Sequence, residues 1–253
     1  MVELTVDAIP SKDSLREYAG EDTRDQFPFA VVLWYLKTNL RFCTGSLLNY
    51  NWVLTSADCV ENQTPRGIAI KYGDYTTRES TKIAKVNQVF IHPSFCRAHG
   101  LNDIALLFTE KVNGISTYGK LLALDYKALF GLPVTYAGFG RISKEHSDIL
   151  DEQLLPLQVG RGVVIPCESS EFKYGALCIA PRCKEVQQKS RSEEAGGPLL
   201  YRGRIVGVET SVMTKRNLAN RAIITHFVTR ILRWGSNAEC NEATHTIVSP
   251  TLT

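Results

Sequence analysis

Short runs of apolar and β-branched residues, broken every few positions by Gly, Asn, Asp or Pro, recur along nearly the whole chain. They fall at residues 29–36, 45–55, 67–72, 86–91, 104–110, 133–137, 154–164, 205–212 and 222–228. Val, Ile, Leu and aromatic side chains suit a pleated, half-buried surface, and the residues between the runs supply turns. Many short strands at this spacing predict an all-β sandwich or barrel. Helical periodicity is confined to residues 228–239, where Val228, Ile231, Leu232 and Trp234 share one apolar face.

With 253 residues, 44% hydrophobic and 22% charged, the chain suffices for a large core in one domain or two. A formal charge of +3 and the lack of a long Lys/Arg run argue against nucleic-acid and membrane-surface binding. No stretch of about 18 apolar residues is present, which argues against a membrane span. Residues 1–16 and 244–253 read as extensions off the core. The opening MVELTVDAIPSKDSLR lacks the apolar run of a signal peptide, so Met1 is read as the start of a trimmed or recombinantly expressed form. Seven cysteines without paired CxxC spacing point away from zinc and toward disulfides formed in an oxidising compartment. The sequon Asn62-Gln63-Thr64 fits the same expectation of a secreted, extracellular protein.

Four local motifs follow one another in a telling order. They are Gln26-Phe27-Pro28-Phe29, Trp52-Val53-Leu54-Thr55-Ser56-Ala57-Asp58-Cys59, Asn102-Asp103-Ile104-Ala105-Leu106-Leu107 and Glu194-Ala195-Gly196-Gly197-Pro198. The last three are similar to the "WVLTAAHC", "NDIALL" and "DSGGP" motifs of the chymotrypsin and trypsin family of serine proteases. The resemblance covers residues 17–240. It implies two six-stranded β-barrels, at about 27–125 and 126–228, a closing C-terminal helix, and an active site in the cleft between the barrels. The homology domain would run from 17 to 243.

The family's chemistry needs a hydroxyl nucleophile, an imidazole to take its proton and a carboxylate to orient the imidazole. By the resemblance only the carboxylate is retained, as Asp103. Asp58 stands in the imidazole's place and Ala195 in the nucleophile's. A carboxylate, with a reference pKa of about 4, is a weak base at neutral pH, and a methyl group cannot attack a carbonyl. Glu193 occupies the place of the oxyanion-hole glycine, where its bulk and charge oppose a developing oxyanion. His99 reads as a loop residue lining the cleft. Asp58 and Asp103 would also suit a metal site or an acid pair of glycosidase type, but no third ligand is apparent.

Lys189 stands where a trypsin holds the aspartate that selects basic side chains, and Val212 where a glycine keeps the specificity pocket open, so the pocket is expected to be occluded. The family's free amino terminus after activation corresponds to cleavage after Arg16, which would expose Glu17 to an apolar slot beside Glu194. Activation by cleavage is therefore not expected. The resemblance pairs Cys43 with Cys59 and Cys167 with Cys178. Two further family bridges are lost at both ends, at Val134 with Tyr201 and at Arg191 with a residue near Met213. Of the remaining three cysteines, Cys96 and Cys240 are expected to pair and Cys183 to stay free.

These readings converge on an inactive homologue of a trypsin-like protease that works as a monomer, without cofactor or metal, by binding a protein. Secreted inactive relatives of this kind include insect serine protease homologues and the inactivated protease paralogues of parasitic mites, which are associated with interference in host complement. Two alternatives stand beside this reading. One is residual hydrolysis by an altered mechanism. The other is weak polyanion binding through Lys184, Lys189, Arg191, Lys215, Arg216, Arg230 and Arg233.

Overall fold

The computed structural model describes residues 20–21, 26–73, 81–97, 100–139, 157–167, 176–181, 195–210 and 223–227. The strands are β1 (Gly20–Glu21), β2 (Ala30–Tyr35), β3 (Arg41–Leu47), β4 (Trp52–Thr55), β5 (Ile68–Gly73), β6 (Thr81–Ile91) and β7 (Ala105–Thr109) in the first part of the chain. In the second are β8 (Pro133–Gly138), β9 (Gln158–Ile165), β10 (Ala176–Pro181), β11 (Pro198–Tyr201), β12 (Arg204–Glu209) and β13 (Ile223–Phe227). All pairs are antiparallel.

The first six long strands close into a barrel in the order β2-β3-β4-β7-β6-β5. The later strands run β9-β10-β13-β12-β11-β8, and the pairing of β8 with β9 closes this ring too, with β1 added at the start of β9. This is the mostly β, two-barrel, trypsin-like fold. The helix expected at 228–239 and the extensions at 1–16 and 244–253 lie outside the described residues.

β2 shows why the barrels adhere. Its side chains alternate, so Val31 and Leu33 enter the first barrel's core while Ala30, Val32 and Trp34 pack against Ala137, Phe139 and Leu157 from the second part of the chain. An exposed strand of this composition would be insoluble, and burial on both faces explains the unbroken apolar run. The second barrel fills with Leu129, Val134, Val164, Leu177, Ile179, Leu199 and Val206. Each such fully buried side chain contributes roughly 1.5–3 kcal/mol. The connector between barrels is pinned on both sides, by Gly119 N–H to the Leu47 carbonyl (2.8 Å) and Leu122 N–H to the Ile205 carbonyl (2.8 Å).

Several predicted runs need redrawing. Residues 45–55 are not one strand, because the chain turns between β3 and β4, where the Asn49 side chain accepts the N–H groups of Asn51 (2.9 Å) and Trp52 (3.0 Å). Such a local side-chain acceptor replaces ladder bonds and reverses the chain. The run at 86–91 is the end of an eleven-residue strand. β10 and β11, four to six residues long, were not singled out by pattern.

Candidate functional site

Where β4 ends, Ser56 stays extended (φ −78°, ψ 143°) and starts a single helical turn, α1 (Ala57–Val60). That turn aims the Asp58 N–H at Asp103. Oδ1 of Asp103 accepts from the Asp58 N–H (2.7 Å) and from the Ser56 hydroxyl (2.7 Å), while Oδ2 accepts a very short bond from the Thr210 hydroxyl. Asp103 is completely buried. The loop that delivers it is set by Asn102, which adopts the left-handed conformation (φ 54°) and donates its side-chain amide to the Ser94 carbonyl (2.7 Å). Asn tolerates this backbone region better than most residues.

Asp58 thus reaches Asp103 through its backbone, and its side chain goes elsewhere. Its carboxylate lies 2.6 Å from the Arg97 guanidinium, which also touches the Asp58 carbonyl (3.3 Å) and Glu61 (2.7 Å). The carboxylate is therefore an ion-pair partner beside the cleft. It is not arrayed as half of an acid pair with Asp103. Among the described residues no group of three or more His, Cys, Asp or Glu side chains could hold a metal ion.

Ala195 is fully buried within the first barrel's core cluster. Its carbonyl accepts the Thr44 N–H (2.8 Å) and sits 3.7 Å from Cys59 Sγ, a contact only, since that sulfur is in a disulfide. Gly196 follows at φ +85°, and a Cβ there would lie 2.1 Å from the Thr44 carbonyl and 2.2 Å from the Thr55 hydroxyl. Only glycine fits this turn. Gly196 N–H to Glu209 O (2.8 Å) and Glu209 N–H to Gly197 O (2.9 Å) fasten it to β12, one residue from Thr210. Asp58, Asp103 and Ala195 are thereby brought to one place between the barrels.

The hydroxyls in this neighbourhood are already committed. Those of Ser56 and Thr210 bond Asp103, that of Thr55 bonds the Thr44 carbonyl (2.8 Å), and that of Thr44 accepts the Phe139 N–H (3.0 Å). Sequence reasoning overlooked Ser56, Arg97 and Thr210. Ser56 stands inside a recognised motif, and its hydroxyl could have been read from there. Cys43 and Cys59 are joined, with Cα atoms 6.2 Å apart, as are Cys167 and Cys178, at 5.2 Å. Cys96 is disulfide-bonded as well, its partner lying outside the described residues. His99, Cys183, Lys184, Lys189, Arg191, Glu193, Glu194, Val212, Met213, Lys215, Arg216, Arg230, Arg233 and Cys240 also lie outside them, as do Arg16 and Glu17.

Two closed β-barrels, with a buried Asp, a one-turn helix and a glycine turn meeting between them, define the trypsin-like serine protease class. Residues 19–235 match the family described as Trypsin, and the chain belongs to it. It is 27% identical over 207 residues to trypsin epsilon of Drosophila erecta, covering 79% of this chain and 78% of the relative. It is 26% identical over 243 residues to the alkaline C trypsin of Manduca sexta, covering 92% and 94%. The fold matches that of the scabies mite inactivated protease paralogue S-I1 with a TM-score of 0.68, at 21% identity, over 86% of this chain and 96% of that one.

Proposed function

We propose that this trypsin-family chain is a secreted, proteolytically inactive homologue that acts by binding a protein, as decoy, antagonist or cofactor in a protease cascade of innate-immune or complement type. The observation that carries this reading is Ala195, a methyl-bearing, fully buried residue in the glycine turn where the family's motif has its serine. No hydroxyl at that turn means no acyl-enzyme. Asp58 supports the reading, since its carboxylate is held by Arg97 and offers no imidazole to Asp103. Glu193 in the oxyanion position, with Lys189 and Val212 in the pocket positions, belongs to the same proposal. Disulfides at Cys43–Cys59 and Cys167–Cys178 favour an oxidising compartment, and no described helix is long and apolar enough to cross a membrane.

Loss of proteolysis is tested with a fluorophosphonate probe and a fluorogenic peptide panel spanning basic, aromatic and small side chains. Neither labelling nor turnover above a heat-treated control is expected, and stoichiometric labelling would overturn the proposal. The binding role is tested by affinity capture from native body fluid beside an authentic trypsin blocked at its serine. A partner retained by this chain alone, and re-bound by it after purification, is the expected result. Retention of the same proteins by both would count against a dedicated partner.

A further inference from the structure

A hollow of about 590 Å³ opens on the second barrel, and none of its lining residues belongs to the Asp58, Asp103 and Ala195 site. That volume suits a small organic molecule. Its floor includes Val134 and Leu200, only 3% and 2% exposed, and its walls include the half-buried Leu132 and Tyr201. Among the described residues that line it, the charged ones are Arg161 and Arg202, and none is Asp or Glu. Both arginines are exposed at the rim.

Their mounting is rigid. Arg161 lies within β9, opposite Thr135 of β8, which in turn pairs with Leu200 of β11. Arg202 and Gly203, both at positive φ (49° and 71°), make the two-residue turn between β11 and β12, a geometry whose twist suits a tight hairpin. The Arg202 guanidinium stands 5.3 Å from the centre of the Tyr201 ring, which steadies it beside the hollow. An apolar floor on preformed strands, rimmed by cations alone, discriminates by chemistry. A bare inorganic anion gains nothing from the floor, and a neutral apolar compound gains nothing from the guanidinium groups.

We propose that this hollow is a binding site for an apolar carboxylate of the medium-chain fatty acid or arylalkanoate class, its apolar body on Leu132, Val134, Leu200 and Tyr201 and its carboxylate at the arginine rim. The site is independent of whether the cleft between the barrels cuts or binds.

The test is calorimetric titration of the intact chain with decanoate below its micelle concentration, beside decanol, decyltrimethylammonium and sodium sulfate. One decanoate is expected to bind per chain, about tenfold or more tighter than decanol, with no measurable heat from the other two. Replacing Arg161→Gln and Arg202→Gln together, both at exposed positions, should remove the decanoate preference and leave decanol unchanged. Leu132→Trp, which fills the hollow from a half-buried wall, should weaken both, with circular dichroism confirming the fold of each variant. Equal affinity for decanoate and decanol would overturn the proposal. So would displacement of decanoate by equimolar sulfate, binding that survives both sets of substitutions, or no decanoate binding at millimolar concentration.

Discussion

Three donors converge on the Asp103 carboxyl group: the Ser56 hydroxyl and Asp58 N–H from one barrel, and the Thr210 hydroxyl from the other. This burden is structural and owes nothing to proton transfer, so Asp103→Ala should unfold the chain more easily whether or not it cuts. Three orphaned buried donors set a cost of about 3 kcal/mol or more, read as a lower urea midpoint at unchanged m. A shift below about 1 kcal/mol would show that Asp103 is dispensable to the fold. Restoring the missing residue types by Ala195→Ser with Asp58→His should give turnover about a thousandfold or more below trypsin on a fluorogenic peptide panel, because Glu193 would still oppose the oxyanion. Efficiency within about a hundredfold of trypsin would mean an intact oxyanion hole. Asp58, Asp103 and Ala195 were legible because each sits inside a contiguous motif. Arg97 was not, since it meets Asp58 across 39 positions and an ion pair between exposed loops leaves no local pattern. The same holds for Thr210, which is 107 positions from Asp103.

The hairpin between β3 and β4 shows what alternation of apolar residues can and cannot reveal. Apolar and small residues continue from Gly45 through Leu48, and again from Trp52, so composition alone reads one strand. Asn49 interrupts it by accepting two backbone N–H groups. Asn49→Ala should therefore cost about 1 kcal/mol, measured by chemical denaturation, with no change in barrel architecture. An unchanged midpoint would move the turn's origin to the flanking packing. That packing is tight, since a Cβ on Gly45 would lie 2.7 Å from Val53 Cγ1 and 2.9 Å from Leu33 Cδ1. Strands with a long apolar run, such as β2 and β7, were readable directly. β11 was hidden because Pro198–Tyr201 is four residues long and earns its place through pairing with β8 and β12, a nonlocal fact.

At the scale of the molecule, the cysteines and the contacts between barrels act together. Non-reducing peptide mapping should find Cys96 linked to Cys240 and Cys183 carrying a free thiol, a closure of about 140 residues that would contribute several kcal/mol. A Cys96–Cys183 peptide would reverse that assignment. The barrels also exchange hydrogen bonds directly: the Thr44 N–H goes to Ala195, the Phe139 N–H to the Thr44 hydroxyl, and the Thr210 hydroxyl to Asp103. β2 meanwhile lends alternate side chains to two clusters. Neither barrel holds a complete set of partners without the other, so loss of one strips the second of its bonds. Scanning calorimetry should accordingly give a single transition with equal calorimetric and van't Hoff enthalpies, and two resolved transitions would contradict it. Mass action then links remote events: a carboxylate seated at Arg161 and Arg202 would raise the melting temperature of both halves at once, and a partner gripping the first barrel would slow proteolytic nicking of the second.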